Sequence, residues 1–407
     1  MTKRPDPSTL VLGTIAMALI AIPGAMSLVS SESTRVFIEQ IESRPVRDAP
    51  ELDSVSDLID SAFWAQVSGS IEDRMALRSN AARIRPILRR DVFNPEWLGV
   101  SRNKDVLAGA DNWLFYTPSL GSGYTTIEET ESTLAQIDMW FETHSDDREV
   151  VLFVVPDKAT IYPELLGEAA RELYESKLDQ RELIHRWVAR EGDPIPDVIT
   201  PMRTSADSSP DPIYEPAGSH FNGLGAMVLT EMMVEWAQPG AWDPSFVTRT
   251  WEETRVPELA RLAWIWDRQD NFYGVEVVRP GITRTLTHVA GETIDGEQTR
   301  DAMAKTQGQP ARFVSKGDGL IGGRTLVIHD SFVGLYMRPS LSRYFEDVSF
   351  VHIDRITPEG LVGALDVYDR VIIECVERLF LGRARRLFVE NAPPDLEQIP
   401  DLVDRGE

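Results

Sequence analysis

The sequence predicts an α/β fold with a mostly parallel sheet, because buried strands alternate with helices along the chain. Val150–Val155 is continuously apolar and rich in β-branched residues, which is typical of a strand buried on both faces. Helices are predicted on either side of it, over 126–143 and 167–191. Thr126 and Glu129 have the spacing of a capping box at the start of the first of these helices. Between 325 and 378 short apolar strands and helices alternate again, with one helix predicted over 335–345. This alternation favours parallel strands with helical connections.

The first 30 residues are predicted to enter a membrane. An uncharged stretch, Leu10–Val29, follows Lys3 and Arg4 and is long enough to span a bilayer as a helix. The same stretch has features of a cleaved signal peptide, with Pro23 and Gly24 breaking the helix before small residues. The apolar run continues beyond this break, which favours an uncleaved signal anchor. Either interpretation leaves the rest of the chain outside the cytoplasmic membrane.

The remainder of the chain is predicted to be a linker followed by one large domain. Residues 31–55 are polar and contain two prolines, as linkers often do. The domain is predicted over 56–407. Within it, residues 241–320 lack clear periodicity apart from a helical stretch at 257–266, so we expect an irregular insertion over the sheet.

Composition restricts the possible functions. The formal net charge is −24, which argues against nucleic acid as a partner. The single cysteine, Cys375, excludes an intramolecular disulfide, and its apolar neighbours indicate a buried, inert thiol. The six histidines show no metal-ligand spacing, and the chain has no phosphate-binding glycine loop. We therefore predict neither a metal nor a cofactor.

Two residues are candidates for acyl-transfer chemistry. Ser331 follows a buried strand and precedes a helix, so it is expected at the carboxyl edge of the sheet, where α/β folds bind ligands. Its alternative role is a helix cap. His220 lies on a glycine-rich loop before another helix and has the chemistry of a general base, although loop histidines are often surface residues. A serine nucleophile needs such a base, and the base needs an orienting acceptor.

Several motifs carry a family resemblance through their order and spacing. They are Glu72-Asp73-Arg74, Asn112-Trp113-Leu114-Phe115, Val155-Pro156-Asp157-Lys158, Ser219-His220-Phe221-Asn222, His329-Asp330-Ser331-Phe332 and Glu374-Cys375-Val376-Glu377-Arg378. With them the chain resembles the SGNH-hydrolase-like O-acetyltransferases typified by the bacterial alginate acetylation proteins.

The resemblance implies a fold, a site and a location. The fold is an SGNH-like α/β domain with permuted motif order, in which the histidine motif precedes the serine motif. Ser331 would accept an acetyl group, with His220 as its base, and Lys158 would contact substrate or pair with an acid. The implied location is the periplasmic side of the bacterial inner membrane. The implied partners are a membrane-bound O-acyltransferase that donates acetyl groups and a polysaccharide that receives them.

One departure from the family pattern leaves the activity open. The family has an aspartate two residues before the histidine, and this chain has Gly218 there. Loss of a triad acid lowers the rate by about 10⁴-fold in serine proteases. Glu215, Asp211 or Asp157 could replace the acid, or a carbonyl or water could hold a Ser–His dyad. The remaining alternatives are a non-catalytic polysaccharide-binding or scaffold subunit of an export complex, and a carbohydrate acetylesterase.

Overall fold

A computed structural model of the chain describes residue 63 and most of 105–389, with gaps at 122–124, 146–147, 191–193, 264, 266–267, 289–292 and 296–309. The described residues from 105 onward belong to a compact unit spanning Leu98–Glu397. The predicted membrane segment and linker lie outside the described residues. Among those that are described, no helix is both long and apolar enough to cross a bilayer.

The strands run, in chain order, as β1 Val106–Ala108, β2 Leu114–Tyr116, β3 Glu149–Val155, β4 Val247–Arg255, β5 Asp270–Val277, β6 Thr283–His288, β7 Thr293–Asp295, β8 Ala311–Lys316, β9 Ile321–His329, β10 Phe345–His352 and β11 Arg370–Val376. The α-helices are α1 Ile127–His144, α2 Lys158–Ile161, α3 Glu168–Glu175, α4 Leu178–Val188, α5 Ile199–Ser208, α6 Gly223–Ala237, α7 Glu258–Leu262, α8 Ser331–Tyr336, α9 Arg338–Leu341, α10 Pro358–Leu365 and α11 Glu377–Phe388.

A seven-stranded sheet with the order β3-β11-β9-β10-β8-β6-β7 organises these elements. The pairs β3–β11, β11–β9 and β9–β10 are parallel, while β10–β8, β8–β6 and β6–β7 are antiparallel. Five of the seven strands therefore point the same way, so the predicted mostly parallel α/β sheet is confirmed. The parallel strands end together at one carboxyl edge.

Both faces of the parallel half are covered, as its continuous apolar strands predict. Along β3, Val151, Phe153 and Val155 face one apolar cluster, and Val150, Leu152 and Val154 face another. Helices α2, α3, α5, α6, α8 and α9 contribute to the first cluster, and α1, α4, α10 and α11 to the second. Cys375 is buried in the second cluster, and burial raises the pKa of its thiol.

The segment 241–320 differs from the expected irregular insertion. Its described residues contain five strands, β4 to β8. Strands β4 and β5 form a separate two-stranded antiparallel sheet, with α7 in the connection between them, whereas β6, β7 and β8 extend the central sheet. The alternation in β8 is a buried–exposed pattern typical of antiparallel strands with one wet face. A strand with one wet face is only half apolar, so it lacks the continuous apolar run by which the parallel strands were recognised.

The observed helix boundaries agree less well with the predicted ones than the positions of the parallel strands do. The capping box predicted for Thr126 is present, with its side chain accepting from Glu129 N–H at 3.2 Å. The helix predicted over 167–191 is divided into α3 and α4 by a break at 176–177. The helix predicted near 335–345 starts at Ser331 and is replaced from Phe345 by β10.

A buried ion pair joins α4 to α11. Arg181 and Glu377 are both inaccessible to solvent, and Nη1 of Arg181 lies 3.1 Å from Oε1 of Glu377. Glu377 also accepts from Thr160 Oγ1 at 2.6 Å and from Asp157 N–H at 3.1 Å. Burial alone would raise the pKa of Glu377, but Arg181 and His185 outweigh it and hold this pKa well below its usual range.

We expect Arg181→Met to lower the free energy of unfolding by about 3–5 kcal/mol, because it leaves a buried carboxylate without its principal counter-charge. Urea denaturation measures this change. Arg148→Met is the matched control, since Arg148 pairs with Asp366 at a surface where 39% and 71% of the two side chains are exposed. The control is expected to change stability by at most about 1 kcal/mol. Equal losses in the two variants would contradict the prediction.

Candidate active site

Ser331 begins α8 directly after β9, at the carboxyl edge of the sheet. The preceding residue, Asp330, fixes the turn. Its buried carboxylate accepts hydrogen bonds from Phe332 N–H, Val376 N–H and Arg383 Nη1, each at 2.9 Å. Burial by itself would raise the pKa of Asp330, but Arg383 and these amides lower it. The turn that carries Ser331 is therefore tied to the end of β11.

His329 and Glu374 also fix this turn, through hydrogen bonds to the backbone of Asp330. Nδ1 of His329 donates to the Asp330 carbonyl at 2.6 Å, and its Nε2 accepts from Arg338 Nη2 at 2.6 Å. Burial and the adjacent Arg338 hold the pKa of His329 well below its usual range, so the imidazole stays neutral. Oε2 of Glu374 accepts from Asp330 N–H at 2.9 Å. These hydrogen bonds are buried, and they fix the backbone that precedes Ser331.

His220 lies at the end of a tight loop before α6. Asn222 N–H donates to the Ile213 carbonyl at 3.0 Å, and Glu215 N–H donates to the His220 carbonyl at 3.1 Å. Asn222 also caps α6, with Oδ1 accepting from Leu224 N–H at 2.9 Å. The loop is thus closed at its base and docked onto the helix that follows it.

Lys158 holds this loop through backbone carbonyls. Its ammonium group has three N–H donors and lies within hydrogen-bonding distance of four carbonyl oxygens, those of Leu114 and Gly218 at 2.5 Å and those of Glu215 and Pro216 at 3.1 Å. Burial lowers the pKa of Lys158 to about 7, and the negative charge of Glu215 opposes this shift. Lys158 is 3% exposed. This geometry favours a role in fixing the loop over the expected contact with substrate.

The structure brings the two predicted residues together. Nε2 of His220 lies 2.9 Å from Oγ of Ser331, although 111 positions separate them in the chain. The ring of Phe332 packs against the imidazole with a centroid distance of 4.7 Å. Ser331 itself is half-buried, and His220 is buried. This is the hydrogen bond that a serine nucleophile and its base require.

The acceptor on the far side of the imidazole is Glu258, which sequence analysis did not identify. Oε2 of Glu258 lies 3.3 Å from Nδ1 of His220. An ionised carboxylate only accepts hydrogen bonds, so Nδ1 carries the proton and Nε2 is free to accept from Ser331. Glu258 is the first residue of α7, and the N–H of Leu259 donates to the Ala217 carbonyl at 2.9 Å. That bond docks α7 onto the histidine loop.

The charge state of Glu258 suits this role. Burial would raise the pKa of Glu258, but hydrogen bonds from His220 and Ser219 and the charge of Arg378 outweigh it. The pKa is held well below its usual range, so the carboxylate remains ionised in mild acid. Ser331, His220 and Glu258 therefore have the geometry of a Ser–His–acid triad.

The three acids proposed as replacements have other partners. Asp157 pairs with Arg378, its Oδ1 lying 2.5 Å from Nη1. Asp211 accepts from the Tyr273 hydroxyl at 3.1 Å. Glu215 is paired with Arg255 at 3.4 Å. The carboxylate that meets the imidazole comes instead from a helix 38 positions beyond His220, and its place there depends on the fold of the intervening segment.

Packing explains why position 218 is a glycine. A Cβ atom on Gly218 would lie 2.0 Å from Oε2 of Glu215 and 2.7 Å from its Cβ. Glu215 thus fills the volume into which an aspartate at position 218 would extend. The acid expected by the family pattern and the side chain of Glu215 cannot both occupy this space.

Part of the chain matches a known protein family. Residues 106–262 match the family model described as SGNH hydrolase-like domain, acetyltransferase AlgX. The match confirms the resemblance to SGNH-hydrolase-like acetyltransferases over this segment, which contains His220 and Glu258 and ends before Ser331. No curated protein sequence matches the chain. Among the described residues, no group of three or more His, Cys, Asp or Glu side chains is arranged to hold a metal ion.

Similar solved structures include three bacterial proteins. PatB1 of Bacillus cereus is 14% identical, with a TM-score of 0.47, over 68% of this chain and 96% of that one. The O-acetyltransferase domain of Pseudomonas putida AlgJ is 14% identical, with a TM-score of 0.41, over 71% and 96%. AlgX of Pseudomonas aeruginosa is 13% identical, with a TM-score of 0.36, over 68% and 65%. All three TM-scores are below 0.5, so the resemblance is supported by the family-model match over residues 106–262 alone.

We expect Lys158→Met to destabilise the protein by about 2–4 kcal/mol, because it removes the buried ammonium donor that lies 2.5 Å from the carbonyl oxygens of Leu114 and Gly218. Chemical denaturation measures the loss. Lys316→Met, at an exposed position at the end of β8, is the control and is expected to change stability by less than about 0.5 kcal/mol. A Lys158→Met variant as stable as the control would contradict the assigned role of the ammonium group.

Proposed function

We propose that the protein is an extracytoplasmic O-acetyltransferase that moves acetyl groups to a cell-surface or exported polysaccharide through an acetyl-Ser331 intermediate. The observation that carries the proposal is the chain of contacts from Ser331 through His220 to Glu258, at 2.9 and 3.3 Å. The match of residues 106–262 to an acetyltransferase family supports acetyl transfer as the reaction.

The first half of the reaction forms the acetyl-enzyme. Oγ of Ser331 attacks the acetyl carbonyl carbon of the donor while Nε2 of His220 takes the hydroxyl proton. Glu258 stabilises the resulting imidazolium through the Nδ1 proton. The tetrahedral intermediate collapses, the bond to the leaving group breaks, and the leaving oxygen or sulfur receives the proton from His220. Ser331 now carries the acetyl ester.

The second half transfers the acetyl group. His220, again neutral, takes the proton of an acceptor hydroxyl, whose oxygen attacks the ester carbonyl. Collapse of the second intermediate breaks the bond to Oγ, and Ser331 regains its proton from His220. A sugar hydroxyl as acceptor gives an O-acetylated polysaccharide, and water gives hydrolysis. Each tetrahedral intermediate carries a negatively charged oxygen, the oxyanion. The backbone N–H of Phe332 already donates to the Asp330 carboxylate, so it is not a donor for this oxyanion.

The proposed location and partners rest on sequence. The uncharged segment Leu10–Val29 supports attachment to the periplasmic side of the inner membrane, or secretion to the periplasm if it is cleaved. The family resemblance supports a membrane-bound O-acyltransferase as the source of acetyl groups. Since the net charge is −24, the polysaccharide is either neutral or bound in a locally basic groove.

The two alternatives differ in how the structure affects them. A scaffold or polysaccharide-binding role was motivated by the absence of an aspartate at position 218, and contact of Glu258 with His220 removes that motivation. An acetylesterase uses the same three residues with water as acceptor. The ratio of transfer to hydrolysis in the presence of an oligosaccharide distinguishes it from a transferase.

The test is to incubate the full chain with a chromogenic acetyl ester and to follow release of the leaving group and acetylation of the Ser331 peptide by mass spectrometry. We expect Ser331→Ala to abolish labelling. We expect Glu258→Gln to lower kcat by about 10²–10⁴-fold, as loss of a triad acid does. The matched control is Glu253→Gln, an exposed glutamate on β4, which should retain full activity.

Adding neutral oligosaccharides then tests acetyl transfer. Acetylated sugar formed faster than free acetate supports the transferase, and acetate alone supports the esterase. A folded protein that neither labels at Ser331 nor hydrolyses the ester would refute acyl chemistry at this site.

A further inference from the structure

Ser219 lies between Gly218 and His220 and contacts both the base and the acid. It is 5% exposed. Its hydroxyl donates to Oε2 of Glu258 at 2.7 Å, and its backbone N–H approaches the same oxygen at 3.3 Å. Its Oγ also lies 3.1 Å from Nδ1 of His220. One residue therefore supplies two of the donors around the carboxylate oxygen that faces the imidazole.

The distances indicate which contact fixes the acid. Ser219 Oγ approaches Oε2 of Glu258 more closely, at 2.7 Å, than Nδ1 of His220 does, at 3.3 Å. The hydroxyl proton points to the carboxylate, because an ionised carboxylate has no proton to give. A lone pair of Oγ is then left facing the Nδ1 proton. The imidazole proton is consequently shared between the carboxylate and the serine oxygen.

Glu258 needs such an anchor. It stands at the start of a five-residue helix, and 33% of its side chain is exposed. A glutamate side chain loses rotamer entropy when it is fixed in one position, and water competes for an exposed carboxylate. An acid attached two residues before the histidine would be tethered by the loop itself. An acid from a separate helix has to be held by something on that loop, and Ser219 is so placed.

We infer that Ser219 is a positioning residue that holds the Glu258 carboxylate against His220. The inference rests on the proposed function, because it concerns the same triad. Ser219 takes no part in bond making or breaking. It acts on the reaction only through Glu258, and this dependence can be measured.

The experiment is a double-mutant cycle with Ser219→Ala, Glu258→Ala and the pair, assayed for hydrolysis of an acetyl ester. We expect Ser219→Ala to lower kcat by about tenfold with KM within about twofold, since substrate binding is untouched. In the Glu258→Ala background the same substitution should change kcat by less than about twofold. Ser219→Thr keeps the hydroxyl and should restore most of the activity. Ser176→Ala, at an exposed position, is the control for loss of a hydroxyl.

A second measurement does not depend on activity. The NMR resonance of the His220 Nδ1 proton reports its hydrogen bond, and we expect Ser219→Ala to move it in the direction of the Glu258→Ala position. The double variant should match Glu258→Ala alone.

The outcomes separate the two proposals. An equal loss of kcat from Ser219→Ala with and without Glu258, or no loss in either background, overturns the positioning role while leaving acyl transfer intact. An inactive wild type refutes the proposed function, and the resonance then decides the role of Ser219. A Ser219→Ala resonance identical to that of the wild type overturns the inference.

Discussion

The hydrogen bond between His220 and Ser331 is the contact around which the polar structure of this domain is arranged. It joins two loops that are 111 positions apart, at 2.9 Å between Nε2 and Oγ. Such a bond is catalytically useful only if both loops are rigid and the other imidazole nitrogen has an acceptor. The buried groups on each side meet these two conditions. Asp330 and His329 fix the serine turn, Lys158 fixes the histidine loop, and Glu258 accepts from Nδ1.

Buried charged side chains at the carboxyl edge of the sheet hold backbone segments in place through hydrogen bonds. Lys158 is bound by carbonyl oxygens, and Asp330 by amides of two neighbouring elements together with Arg383. A buried ion is tolerated only when its hydrogen-bonding capacity is used, so each charge dictates the position of several backbone groups. This is how a sheet edge made of loops acquires the rigidity that a catalytic geometry needs. The apolar clusters hold the sheet together, and the charges hold its edge.

The glycine at position 218, where the family pattern has an aspartate, is explained by the space available for a side chain as well as by chemistry. Glu215 occupies the space beside Gly218, and Arg255 neutralises it. The carboxylate that lies against His220 then comes from Glu258, on a helix docked to the same loop through Leu259 N–H and the Ala217 carbonyl. A triad is defined by the positions of its groups, and different elements of a fold can supply them. In the proposed triad, the loop carries the base, His220, and a helix from the following segment carries the acid, Glu258.

The sequence by itself determined the parallel half of the sheet, the helix cap at Thr126 and the pairing of Ser331 with His220. These follow from continuous apolar runs, local capping chemistry and motif order, all of which are readable along the chain. The strands in 241–320 were missed, because half-exposed antiparallel strands lack such runs and depend on partners that lie far away. The acid was also missed. Only the tertiary structure decided that Glu258 and not Glu215, Asp211 or Asp157 meets the imidazole, because hydrogen bonding depends on distances of about 3 Å that sequence separation does not encode.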